Sequence, residues 1–187
     1  QKAHGGCMVL DWGIHLLDQA LRIGEGRKLI SVYAELTNVT NEECDDGFRV
    51  TLIFEGDLSM YVEVTTSNFI ELPRWYILGE NGSAVINDWD LNGEIVKVSD
   101  WENRDAVPIL AGVGLTKTMA PRTDDTIKHY PLPKVDSSWT QFYENVFAAL
   151  RGEEEQLITH DQQRRLLKLV DAIFESGNEN KVVFFDK

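Results

Sequence analysis

Cysteine is scarce in this chain, with two residues, Cys7 and Cys44, among 187. Two cysteines without C-x-x-C spacing exclude a disulfide framework and a thiolate metal cluster, and they point to free thiols in a reducing, cytoplasmic compartment. No apolar run approaches the roughly 20 residues of a membrane-spanning helix. Positive charge is also short: 18 Lys and Arg stand against 31 Asp and Glu, for a formal net charge of −13. That field repels phosphate polyanions and anionic membrane surfaces, and the basic residues are scattered rather than clustered along the sequence, so neither nucleic acid nor a membrane is an expected partner. A serine nucleophile elbow (G-x-S-x-G) is missing, as is any strand–glycine–helix arrangement for a dinucleotide: Gly24-Glu25-Gly26 follows a helical pattern, and no strand precedes Gly112-Val113-Gly114. The chain opens at Gln1 with Met8 as its first methionine and shows no signal-peptide pattern, so a piece of a longer protein is expected.

What is present divides by hydrophobic period. Leu10, Ile14, Leu17 and Leu21 recur at helical spacing, predicting a helix over Val9 to Ile23 that stops at Gly24-Glu25-Gly26. Alternation then takes over, with Ile30, Val32, Ala34 and Leu36 on one strand, Val50, Leu52 and Phe54 on a second, and Leu58, Met60, Val62 and Val64 returning through Glu55-Gly56-Asp57. Two further hairpins are expected at Asn81-Gly82 and Asn92-Gly93, where the dipeptide supplies the positive φ of a tight turn. Periodicity is lost from Trp101 to Pro133. Capping boxes at Ser138-Trp139-Thr140-Gln141 and Thr159-His160-Asp161-Gln162 predict two closing helices. The first buries Phe142, Val146, Ala149 and Leu150; the second buries Leu166, Leu169, Val170 and Ile173 and stops near Gly177. Val182 to Phe185 reads as a last edge strand.

The order describes one α+β domain over residues 1–187: a predominantly antiparallel, open-faced sheet of about six strands with helices on one face. The open face carries Tyr33, Arg49, Ile53, Tyr61 and Trp75, a mixed aromatic surface that suits an interface. Trp89 and Trp139 are assigned to packing, while His4, His129 and His160 read as surface histidines in a leader, a loop and a helix start.

Chemistry concentrates at the start of the first helix. Asp11, His15, Asp18 and Arg22 recur four apart beside the apolar stripe, so Asp11 and His15 can meet. A carboxylate beside an imidazole stabilises the imidazolium and fixes the ring, as an acid/base pair requires. A solvated polar face with an incidental ion pair fits the same spacing. Gly13 either admits another group to the Asp11–His15 face or serves packing. Asp11, His15 and Asp18 could also be metal ligands, but no second cluster completes a four-ligand site, so no metal is expected.

The segment Gly5-Gly6 followed by Asp11-Trp12-Gly13-Ile14-His15-Leu16-Leu17-Asp18 resembles the C-terminal domain of the glucose–fructose oxidoreductase / inositol dehydrogenase (Gfo/Idh/MocA) family, which carries a glycine pair followed by D-x-G-x-H-x-x-D. The resemblance extends through Arg74-Trp75, Gly79-Glu80-Asn81-Gly82-Ser83 and the helix from Phe142-Tyr143 to Leu150-Arg151-Gly152. It implies a two-domain oxidoreductase whose Rossmann domain, absent from this chain, binds NAD or NADP and supplies a lysine. It further implies that Asp11 and His15 are catalytic, with His15 moving the proton of a sugar or polyol hydroxyl while hydride passes to the nicotinamide. Trp12, Arg74 and Trp75 would contact substrate, and Asp18 would support the helix. A homodimer or tetramer through the open sheet face is expected, as is a chain that alone neither binds NAD tightly nor turns over substrate. The alternatives are a non-enzymatic open-sheet dimerisation or small-ligand module and, further off, a metal-dependent hydrolase.

Overall fold

The computed structural model describes residues 6–40, 42–100, 102, 109–116 and 122–185. In chain order they form a π turn (Val9–Gly13), α1 (Ile14–Ile23), β1 (Leu29–Thr37), β2 (Gly47–Phe54), β3 (Ser59–Thr65), β4 (Trp75–Gly79), β5 (Gly82–Ile86), β6 (Gly93–Val98), β7 (Ile109–Ala111), β8 (Gly114–Thr116), β9 (Ile127–Pro131), α2 (Thr140–Leu150), α3 (His160–Glu179) and β10 (Val183–Phe184). The α+β antiparallel class stands, with the main strands divided between two four-stranded sheets. The chain forms two compact units, Gln1–Phe69 with Trp139–Lys187, and Ile70–Ser138.

In the first unit the strand order is β10-β1-β2-β3, antiparallel throughout. Alternation sends Val32, Ala34, Phe48, Val50, Leu52, Phe54 and Val62 to one face, where they join Leu17, Ala20 and Leu21 of α1 and Leu166, Leu169, Val170 and Ile173 of α3 in one core. The α3 capping box forms as read: the Gln162 N–H donates to Thr159 Oγ1 at 3.2 Å and the Thr159 N–H to Gln162 Oε1 at 2.9 Å. This helix runs past Gly177 and ends where Asn180 turns left-handed at φ 49°.

The other closing helix departs from expectation. Trp139 is its N-cap and no side chain caps it. It buries Asn145 and Ala148 and leaves Phe142 and Leu150 exposed. The Asn145 amide donates to the Glu155 carbonyl at 2.9 Å and accepts from the Leu157 N–H at 3.0 Å, which fixes the return loop over this polar face in place of the apolar stripe. Trp139 is 91% exposed and Trp89 69% exposed, so neither indole is a core residue.

The first unit's outer sheet face aligns Phe184, Ser31, Ile53 and Ser59 in one row, Tyr33, Thr51 and Tyr61 in the next, and Glu35, Arg49 and Glu63 in a third. Arg49 pairs with Glu63 at 3.0 Å. Trp75 is not on this face; it opens β4 in the second unit.

The second unit is the meander β4-β5-β6-β9 with a separate β7-β8 hairpin. Three short strands therefore occupy the stretch read as aperiodic, and His129 lies in β9 rather than in a loop, paired with Glu94 at 2.7 Å. The Asn-Gly glycines serve differently from expectation. Neither Gly82 nor Gly93 has positive φ; a Cβ on Gly82 would collide with the Val96 carbonyl, and one on Gly93 with the Val85 carbonyl. They allow neighbouring backbone to approach, while Leu91 supplies the left-handed residue of the second turn at φ 60°.

Candidate active site

The D-x-G-x-H segment begins as a π turn rather than an α-helix. The Gly13 N–H donates to the Met8 carbonyl at 2.8 Å, a five-residue reach that widens the turn. The extra width rotates the expected stripe: Val9 is fully buried, whereas Leu10 is 40% exposed. Underneath, the ring of Phe48 occupies the space that a Gly13 side chain would take, so the glycine serves packing. Above, Asp11 and Trp12 point outward, Trp12 at 48% exposure, and His15 follows exposed on the first turn of α1.

The turn is pinned at its start by a residue remote in sequence. Buried Asp45 accepts from the Val9 N–H through Oδ2 at 2.9 Å, and its carbonyl accepts from the Met8 N–H at 3.1 Å. A helix start leaves backbone donors without intrahelical partners, and a buried carboxylate satisfies one of them while facing the positive end of the helix. Beside it, buried Asp46 accepts from the Thr40 N–H and, at 2.9 Å, from the Thr40 hydroxyl, holding the 38–46 loop closed. The backbone N–H groups of Thr40 and Val39 hold its carboxyl down to about 2.

Asp11 and His15 do not form the expected pair: among the described residues no hydrogen bond or ion pair joins them. Asp18 instead pairs with Arg22 at 3.1 Å, one turn along, in the helix-supporting role expected of it. Cys7 and Cys44 line a cavity of about 460 Å³ with Leu10, Asn38, Asp45 and Phe174. Burial pushes the Cys7 thiol up to about 11, with the Asp45 carboxylate and Cys44 adding to the shift, so Cys7 stays protonated and is no nucleophile near neutral pH.

Arg74 and Trp75 belong to the second unit. The Arg74 guanidinium stacks 3.6 Å from the centroid of the Trp89 ring, and Trp75 faces Ile86 across the β4–β5 ladder. Asp11 and Trp12 on the π turn and His15 at the start of α1 thus follow one another, while Arg74 and Trp75 form a separate pair of neighbours. Sequence reasoning missed Asp45 and Asp46. Their only signal is an acidic pair in a polar loop immediately before a strand, which does not reveal a partner 36 residues away.

Every described strand pairing is antiparallel. No described strand leads through glycines into a helix, the arrangement of a dinucleotide-binding turn. Nor do any three His, Cys, Asp or Glu side chains converge on a metal position among the described residues.

Residues 1–85 match the sequence profile of the GFO/IDH/MocA C-terminal domain. Among solved structures, an NAD-binding protein from Listeria innocua is 42% identical, with a TM-score of 0.88 over 99% of this chain and 53% of its own. The Bacillus subtilis protein yvaA, at 16% identity, superposes with a TM-score of 0.74 over 97% of this chain and 52% of its own. The WlbA dehydrogenase from Bordetella pertussis, solved with NADH and UDP-GlcNAcA, is 19% identical with a TM-score of 0.61 over 97% of this chain and 46% of its own. No curated protein matches the chain. The chain spans about half the length of these solved relatives. Residues 1–85 are thus similar to the GFO/IDH/MocA C-terminal domain, and the whole chain shares its fold with these proteins.

Proposed function

We propose that the chain is the substrate-side domain of an NAD(P)-dependent oxidoreductase acting on a sugar, polyol or related hydroxy compound. The observation that carries this reading is the pinned π turn, which presents Asp11 and Trp12 to solvent above a floor of Val9, Gly13 and Phe48 and leads directly into exposed His15 on α1. A turn and adjoining helix start that expose three polar or amphipathic residues while the base is locked suit a site more than a plain surface helix. The likeness to an NAD-binding protein and to a dehydrogenase solved with NADH and a UDP-sugar supports the cofactor and the substrate class.

In this reading His15 takes the proton from the reacting hydroxyl oxygen, or returns it in the reverse direction. Asp11 supplies a hydrogen-bond acceptor for a substrate hydroxyl, and the substrate bridges the two residues that do not touch each other here. Trp12 offers an indole face for a sugar ring. The nicotinamide accepts hydride when bound, and residues other than those described here hold its phosphates. The chain alone therefore neither binds NADH tightly nor turns over substrate.

The outer sheet face of the first unit, with Tyr33, Ile53, Tyr61 and Phe184 around the Arg49–Glu63 pair, is the proposed homo-oligomer surface. Its apolar and aromatic composition favours this reading, and a monomer mass in sedimentation at micromolar concentration would remove it. The enzymatic reading is tested by assaying the complete oxidoreductase against a panel of sugars and polyols with NAD and NADP. Asp11→Asn should lower turnover by at least about tenfold with the thermal melt unchanged. Fluorescence titration showing tight, stoichiometric NADH binding by this chain alone would contradict the division of labour.

A further inference from the structure

The fold gathers basic residues that the sequence scatters. A cavity of about 410 Å³ is lined by Arg27, Lys28, Leu29, Asp161, Arg164, Arg165, Lys168 and Phe185. Five of the 18 basic residues of an otherwise acidic chain thus surround one cleft, opposed among its described lining residues by Asp161 alone. That carboxylate is engaged by Arg164 at 2.6 Å. Arg27 is held in place by the Gly56 carbonyl at 2.9 Å, and the Arg27 carbonyl accepts from Arg165 at 3.4 Å. Among the described residues no hydrogen bond or ion pair engages the side-chain ammonium of Lys28 or Lys168. Like charges held this close repel one another, and a multiply charged anion relieves that repulsion. The N-terminal end of the 20-residue α3 adds its positive dipole end to the same side.

We propose that this cleft binds a small organic phosphate, with the phosphoryl group among Arg27, Lys28, Arg165 and Lys168 and the apolar portion against Leu29 and Phe185. Guanidinium forks match phosphate oxygens bidentately, and two of the three arginines are already oriented by carbonyl contacts. The volume suits a small molecule rather than a polymer groove. None of the lining residues belongs to the Asp11–His15 turn, so the site goes beyond the proposed dehydrogenase chemistry.

Calorimetric titration of the chain with phenyl phosphate, inorganic phosphate and phenol tests it. Phenyl phosphate should bind one-to-one, about tenfold more tightly than either inorganic phosphate or phenol, and more weakly as salt rises. The Lys28→Glu/Lys168→Glu variant should weaken phenyl phosphate binding by at least about tenfold. If that variant loses its cooperative melt, Lys168→Gln alone carries the comparison. His15→Asn should leave the binding unchanged, which separates this site from the proposed active site. Absence of binding, equal affinity for inorganic phosphate, or unaltered binding by the folded lysine variants would overturn the proposal.

Discussion

Replacing Gly13 by alanine probes whether the turn bearing Asp11 is locked from below. Gly13 has ordinary helical angles, φ −58° and ψ −45°, so the backbone itself accepts alanine. Elsewhere in a helix the change would stabilise by about 1 kcal/mol through propensity. Here the new Cβ would lie 2.8 Å from Phe48 Cε1, 2.9 Å from Cζ and 3.0 Å from the Met8 carbonyl oxygen. Phe48 is 1% exposed and bounded by the core, so the ring has nowhere to retreat. Overpacking of this kind costs about 1–3 kcal/mol. The steric cost outweighs the propensity gain, and Gly13→Ala should destabilise by up to about 2 kcal/mol. In urea unfolding followed by circular dichroism, the midpoint should fall while the slope stays constant. Phe48→Leu shortens the opposing side chain, so the double variant should be more stable than the sum of the single costs by about 1 kcal/mol. A Gly13→Ala protein at least as stable as the parent, or strictly additive costs, would refute the close-packed floor.

Asp45→Ala removes the buried acceptor of the Val9 N–H and should cost about 1–3 kcal/mol in the same unfolding assay. Ser176→Ala strips the acceptor of the buried Ala34 N–H, a 2.8 Å bond, and should cost a similar amount, about 1–3 kcal/mol. Asp46 makes an acid-sensitive contribution. Its folded carboxyl, at about 2, lies below its ordinary value of 3.8, so its stabilisation is complete above pH 4 and disappears as pH falls toward 2. Melting temperatures recorded across that window should drop in the parent and flatten in Asp46→Asn; parallel profiles would show that Asp46 is not responsible.

Local pattern carried the reading furthest where one element dictates its own form. Alternation located β1 to β3 because their inward residues meet a single core, and Thr159 with Gln162 announced α3 because both capping bonds lie within four residues. The misreadings arise where a distant partner decides. Phe48 and Asp45 impose the π turn's seat and cap from the neighbouring strand and loop, and no periodicity within residues 9–23 carries that information. Asn145 similarly turns α2 over by binding its own return loop, so the apolar stripe stays outside. The glycines of Asn81-Gly82 and Asn92-Gly93 looked like turn formers, yet the carbonyls of Val96 and Val85 set their requirement from the adjacent strand. The motif residues of the candidate site were legible as a group, whereas the missing Asp11–His15 contact follows from a turn type that spacing cannot distinguish from an α-helix.

The claim that His15 handles the substrate proton is tested most directly by the turnover of His15→Asn in the complete oxidoreductase, measured at saturating substrate and nicotinamide cofactor. Among the described residues no hydrogen bond or ion pair holds the exposed side chain, so the variant should melt like the parent. Its kcat should fall by about 10²–10⁴-fold, the contribution of a positioned acid/base group. A folded His15→Asn enzyme with kcat within about twofold of the parent would contradict the assignment, since a lost proton-transfer group costs far more than that.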